Sequence, residues 1–163
     1  MSKYLKITSI VIACAVLVGA GATFAIATKG GKTTGSASKS QYTPKPGDQG
    51  CTPGYWKQVH PNSWTGYSPS DSYDAVFGVK YNSKLTLLGA VNLGGGGYAA
   101  LARHAAAALL NSSNPNVNYG LTTSQIIAMV QKAFATGEPE QIKDEFAAFN
   151  EVGCSIDAHG NPQ

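Results

Sequence analysis

The sequence predicts an all-α fold, a small bundle of about five to six helices closed by one disulfide. Three observations predict it. Between Cys51 and Cys154 the apolar residues recur at helical spacing, punctuated by caps and glycine stops. No stretch of four or more residues alternates cleanly between hairpin turns, so a sheet has no obvious home. Finally, the two cysteines bracket the whole helical region.

Each element carries its own signal. Thr52 sets a capping oxygen before Pro53, whose fixed φ suits a first helical position, and Pro61 closes this short first helix. A second short helix is expected near Asp71 to Phe77, stopped by Gly78. Leu85, Leu88, Val91 and Leu93 mark a third over residues 84–93, ending at Gly94 to Gly97. Residues 98–111 are the most helix-prone of the chain and rich in alanine. Small side chains let neighbours approach closely, so this helix is expected at the centre. Thr122 and Gln125 form a capping box for the fifth helix, with Leu121 and Ile126 as its staple. Ile126, Ile127, Val130 and Phe134 supply its apolar stripe up to Gly137. Pro139 opens the last helix, where Ile142, Phe146 and Phe149 repeat at i, i+4 and i+7, and Gly153 ends it.

The flanks read differently. Residues 1–27 resemble an export signal: Lys3 and Lys6, an apolar run from Ile7 to Val18, then Ala20-Gly21-Ala22 and Ala25-Ile26-Ala27 as cleavage sites. The alternative is an N-terminal membrane anchor, since Ile7 to Ala27 is uncharged over a length that spans about 30 Å of hydrocarbon as a helix. A lipid-modified Cys14 is a third option. Residues 28–50 hold Gly, Ser, Thr, Lys, Gln and Pro with little to bury, and are expected as a flexible linker. The helical domain is expected over residues 51–154 and a disordered tail over 155–163.

Composition excludes several classes. With 43% hydrophobic and 13% charged residues, disorder over the whole chain is excluded, and no three- or seven-residue period supports a collagen or coiled-coil rod. The net charge of +3 belongs to the N-terminal third, because residues 51–163 carry six basic against eight acidic side chains. Such a body lacks the basic face that neutralises phosphates, so nucleic acid is not an expected partner. Membrane contact is expected only through residues 7–27, if they stay attached.

Signal removal takes Cys14 and leaves Cys51 and Cys154, an even pair that in an exported protein reads as a disulfide. In the chain-entropy account, closing a loop of about 100 residues stabilises by about 4.7 kcal/mol. Neither cysteine has a second ligand at metal-binding spacing, and neither a metal nor a cofactor is expected.

The string Cys51-Thr52-Pro53-Gly54-Tyr55-Trp56-Lys57, followed by His60, Trp64, Gly66-Tyr67-Ser68-Pro69 and Phe77-Gly78, resembles the opening of an uncharacterised domain of secreted and cell-surface bacterial and archaeal proteins. Leu87-Leu88-Gly89-Ala90, Gly94 to Gly97, Ala106 to Asn111 and Gly153-Cys154 are similar to its later motifs, so the resemblance covers residues 51–154. Gln58-Val59-His60 departs from the pattern's shorter Asn-His. The resemblance implies location and domain limits, and no activity.

Candidate sites follow. Tyr55, Trp56, Lys57, His60, Trp64 and Tyr67 fall within thirteen residues and form the first candidate binding patch, suited to sugar rings or a protein partner if the rings are exposed. The competing expectation is that Trp56 and Trp64 wedge the N-terminal segment onto the core. His104, alone among alanines, is expected as a core residue; a small extracellular hydrolase using His60 or His104 with a carboxylate is the enzymatic alternative. Asn114, Asn116, Asn118 and Gln125 occupy calcium-loop spacing without any charge, so an Asn-rich turn is the better expectation. Asn111-Ser112-Ser113 is a glycosylation sequon. Gly94 to Gly97 is expected as a connector, with a phosphate cradle as the alternative. The expected role is that of a secreted or surface-displayed, non-catalytic module that self-assembles or binds an extracellular protein or glycan.

Overall fold

A computed structural model describes residues 41–58 and 64–163; the expectations for residues 1–27, the linker up to residue 40, Pro61 and His60 lie outside the described residues. The described chain is all-helical, in six helices: α1 (Pro53–Trp56), α2 (Tyr73–Phe77), α3 (Leu87–Val91), α4 (Gly97–Ser113), α5 (Thr123–Thr136) and α6 (Pro139–Asn150). A disulfide joins Cys51 to Cys154.

The three short helices are held by caps more than by length, since isolated helices of one turn do not persist in water. The Thr52, Ser72 and Thr86 hydroxyls each accept a backbone N–H of the helix they precede. Ser72 and Thr86 also pair across a single antiparallel bridge, so α2 and α3 start from a shared knot. Leu85 reaches this knot and Leu87 leaves it, which shortens the expected 84–93 helix to one turn and a half. At its far end α2 stops on left-handed Gly78 (φ 66°), a conformation that a Cβ would strain.

α4 is the axis. Ten of its seventeen residues are buried, among them Ala105 to Ala108, Leu109, Leu110 and Asn111. Its alanines bring backbones close, and it touches α1, α3, α5 and α6. α5 carries the expected capping box, with Thr122 and Gln125 satisfying one another's backbone N–H groups. Ile126 and Val130 are buried as expected, whereas Ile127 and Phe134 are only half-buried, because the helix turns those positions toward its edge. On α6, Ile142, Phe146 and Phe149 fill the core against α4.

The described chain flanking the two cysteines, including residues 41–50 of the segment expected as a linker, is bonded to the body. Gln49 exchanges backbone and side-chain hydrogen bonds with Asn118, and Gly50 donates to the Gly153 carbonyl at 2.9 Å. Only glycine fits position 50, where a Cβ would overlap the Phe149 carbonyl. Residues 155–163, expected as a disordered tail, instead fold back on themselves through an Ile156–Pro162 bridge. Ile156 is 1% exposed and joins the core. Besides this buried side chain, hydrogen bonds from Tyr55 to the Asp157 carbonyl, from Asn116 to the Gly160 carbonyl and from Ser155 to the Asn116 carbonyl fix the tail to the body.

Candidate functional site

The expected patch begins on α1. At its end Trp56 is 0% exposed, and Trp64, beyond the helix, is 9% exposed. Of the two expectations for this cluster, burial against the core describes Trp56 and Trp64. Trp64 meets Trp56 edge-on at 6.3 Å, and Tyr55 meets it edge-on at 4.9 Å. Tyr55 and Tyr67 are half-buried and Lys57 is exposed. The Tyr55 hydroxyl donates to the Asp157 carbonyl at 2.7 Å, tying α1 to the C-terminal segment. Burial, then the nearby Asp71 charge, raises the Tyr67 hydroxyl above its ordinary range.

Beneath these rings lies a network that sequence reasoning missed. Asn111, at the end of α4, is 0% exposed and uses its whole hydrogen-bonding capacity. Its Oδ1 accepts from the Cys51 backbone N–H (2.9 Å) and from Trp56 Nε1 (3.1 Å). Its Nδ2 donates to the Cys51 carbonyl (2.8 Å) and to Asn150 Oδ1 (3.0 Å). Asn150 also accepts from the Tyr119 hydroxyl at 2.8 Å and donates to the His104 carbonyl at 3.0 Å. Burial holds the Tyr119 hydroxyl protonated, well above its ordinary range. The one signal in the sequence was the sequon itself, an asparagine ending an apolar helix. Its burial closes Asn111 to a glycosyltransferase in the folded chain.

His104 is partly buried, and its Nδ1 has no partner among the described residues. Burial first, then Arg103 and Lys143 against the opposing Asp144, pushes its pKa from 6.5 to about 4. At neutral pH it is an uncharged imidazole with no carboxylate hydrogen-bonded to orient it. A general base needs both a pKa near the working pH and an aligned partner. His60 lies outside the described residues.

The remaining candidates are occupied by the fold. Asn116 Nδ2 donates to the Gly160 carbonyl and Asn118 Nδ2 to the Gly47 carbonyl, while Gln125 Oε1 serves the capping box. Asn116 and Asn118 thus tie down the two flanking segments, and Gln125 closes the start of α5. At the four glycines, the Gly97 N–H donates to Glu140 Oε1 at 2.7 Å, so a carboxylate from α6 sits where an anion would bind the start of α4. Among the described residues no group of three or more His, Cys, Asp or Glu converges, and no helix is long and apolar enough to cross a membrane.

Two surface features were not foreseen. Tyr81, Tyr98 and Phe134 form a half-buried ring cluster over the buried Tyr73 and Phe77, with centroid separations of 4.6 to 6.3 Å. Their positions come from a loop, α4 and α5, so no local spacing announces them. An open groove of about 350 Å³ runs along α5 beside Tyr42, Gln125, Met129 and Lys132. No family model, curated protein or solved structure matches the chain.

Proposed function

We propose that this chain is an exported module, secreted or displayed at the cell surface, that works by binding or assembly and not by catalysis. The observation that carries the reading is the Cys51–Cys154 bridge, which closes the described body at both ends and suits an oxidising compartment. It stands behind an N-terminal stretch that reads as an export signal and a polar tether. The motif resemblance to secreted and cell-surface domains supports the same location. For recognition the surface offers the half-exposed Tyr81, Tyr98 and Phe134 rings, whose flat apolar faces and phenolic edges suit an extracellular protein or glycan.

Expression of the full chain in a bacterium with an export apparatus tests location. Thiols are blocked on intact cells before lysis, and the mature N-terminus is read by mass spectrometry. Chain found outside the inner membrane with no alkylated Cys51 or Cys154 is the expected result. Cytoplasmic chain with both thiols alkylated ends the reading. Size exclusion and electron microscopy of the same material then separate the roles. A structural subunit gives large assemblies, while a binding module stays small and is retained on a glycan or protein matrix in a Tyr98-dependent way.

A further inference from the structure

We propose that the disulfide is a one-sided redox latch: an external thiol attaches at Cys154, loosening residues 153–163 while the helical body stays folded. The two halves of the bridge differ. Cys51 has 0% exposure, so an attacking thiolate has no approach to its sulfur. Cys154 lies in an exposed run with Glu151, Val152 and Gly153. Val152 is the exposed large hydrophobic residue of the described chain, at 40%.

The supports also differ. Asn111 grips both the N–H and the carbonyl of Cys51, so that residue keeps its place without the sulfur bond. Around Cys154 the chain is held by the buried Ile156 side chain and otherwise by single hydrogen bonds: Gly50 to Gly153, Ser155 Oγ to the Asn116 carbonyl, Tyr55 to Asp157, and Asn116 to Gly160. A small or protein thiol is the co-reactant. Its thiolate forms a sulfur–sulfur bond with Cys154, and the Cys51–Cys154 bond breaks. The electron pair leaves on the Cys51 sulfur, which takes up a proton because burial disfavours the thiolate. A second thiolate then attacks the bound thiol's sulfur, releasing Cys154 and one external disulfide. Two external thiols are thus oxidised and one protein disulfide is reduced. Until that second step, the Cys51 thiol stands ready to expel the adduct and close the bridge again.

The test uses the full oxidised chain and glutathione, quenched in acid and mapped by tryptic peptides. The adduct is expected on the Cys154 peptide at least tenfold over the Cys51 peptide, and equal or reversed labelling overturns the proposal. Reduced protein should keep its helical circular dichroism while a protease that cuts after acidic residues cleaves at Asp157 at least tenfold faster. Helicity lost in step with reduction, or unchanged cleavage, overturns it equally. Single variants give an independent reading without reductant. In Cys51→Ser the remaining Cys154 thiol should react readily with iodoacetamide under native conditions. In Cys154→Ser the Cys51 thiol should react at least tenfold more slowly, and comparable rates sink the idea.

Discussion

The two ends of the molecule are held together by different physics. Around Cys51, Asn111 and Asn150 the interior is polar, and each hydrogen bond has a named partner and direction. Around Tyr73, Phe77, Tyr81, Tyr98 and Phe134 the contacts are ring on ring, with interplanar angles from 34° to 66°. A satisfied polar network specifies one arrangement, because any other strands a buried group. Tilted and edge-on ring contacts carry no donor or acceptor that must find one partner. The first end therefore fixes where the chain's flanks dock, and the second leaves rings half-exposed and adaptable.

The sharpest way to break this contrast is Asn111→Leu. It strands the Trp56 indole N–H together with the Cys51 N–H and carbonyl, each worth about 1–3 kcal/mol when buried without a partner. Urea unfolding should show a loss of several kcal/mol; a cost below about 1 kcal/mol would make the network ordinary packing. At the other end Phe134→Ala should cost about 2 kcal/mol, roughly half the value for a fully buried phenylalanine. Tyr98→Phe should be close to neutral in the same assay, since its hydroxyl reaches the Ala133 carbonyl only at 3.4 Å.

The paired tryptophans sharpen the comparison within the polar end. Trp56→Phe deletes a donor to Asn111, whereas Trp64→Phe deletes an N–H with no partner among the described residues. Both lose ring volume, so Trp56→Phe should cost about 1 kcal/mol more. Parity of the two variants in thermal melts would remove the hydrogen bond from the account.

Acid provides a smaller, directional test. His104 binds its proton at about pH 4 when folded and near 6.5 when unfolded. The unfolded chain then holds the extra proton between those values, so stability should fall as pH drops from 6.5 to 4. His104→Gln should flatten that limb in a series of melts across the range, and an unchanged limb would assign it elsewhere. Of the two acid-linked effects the smaller is that of Glu140→Gln. The Gly97 N–H, then Lys143, holds the Glu140 carboxyl below its usual range. Its stabilisation is present above the unfolded pKa and lost as pH falls through the folded one. The variant should melt slightly lower at neutral pH and match the parent in acid.

How legible was all this? The caps at Thr52 and Thr122, the glycine stops at Gly78 and Gly137, and the buried stripe of α6 are local features, and all stand where the sequence places them. The central position of the Ala-rich helix also follows from its composition. Trp56 illustrates the limit. A tryptophan on a one-turn helix is as suited to a ligand as to a core until the partner of its N–H is known, and that partner lies fifty-five residues away. The asparagines after α4 show the same limit: an Asn-rich turn is expected from the sequence, but not that Asn116 and Asn118 donate to the Gly160 and Gly47 carbonyls brought in from both flanks.

By itself the sequence determined what depends on neighbours along the chain: helices, their ends, the lack of regular alternation, and the pairing of the last two cysteines. Tertiary structure alone decided which polar groups were buried, which rings kept an open face, and that both flanks joined the body. The reason is physical. Helix propensity and capping act over four residues, whereas burial and hydrogen-bond satisfaction depend on groups that meet only after the chain has closed.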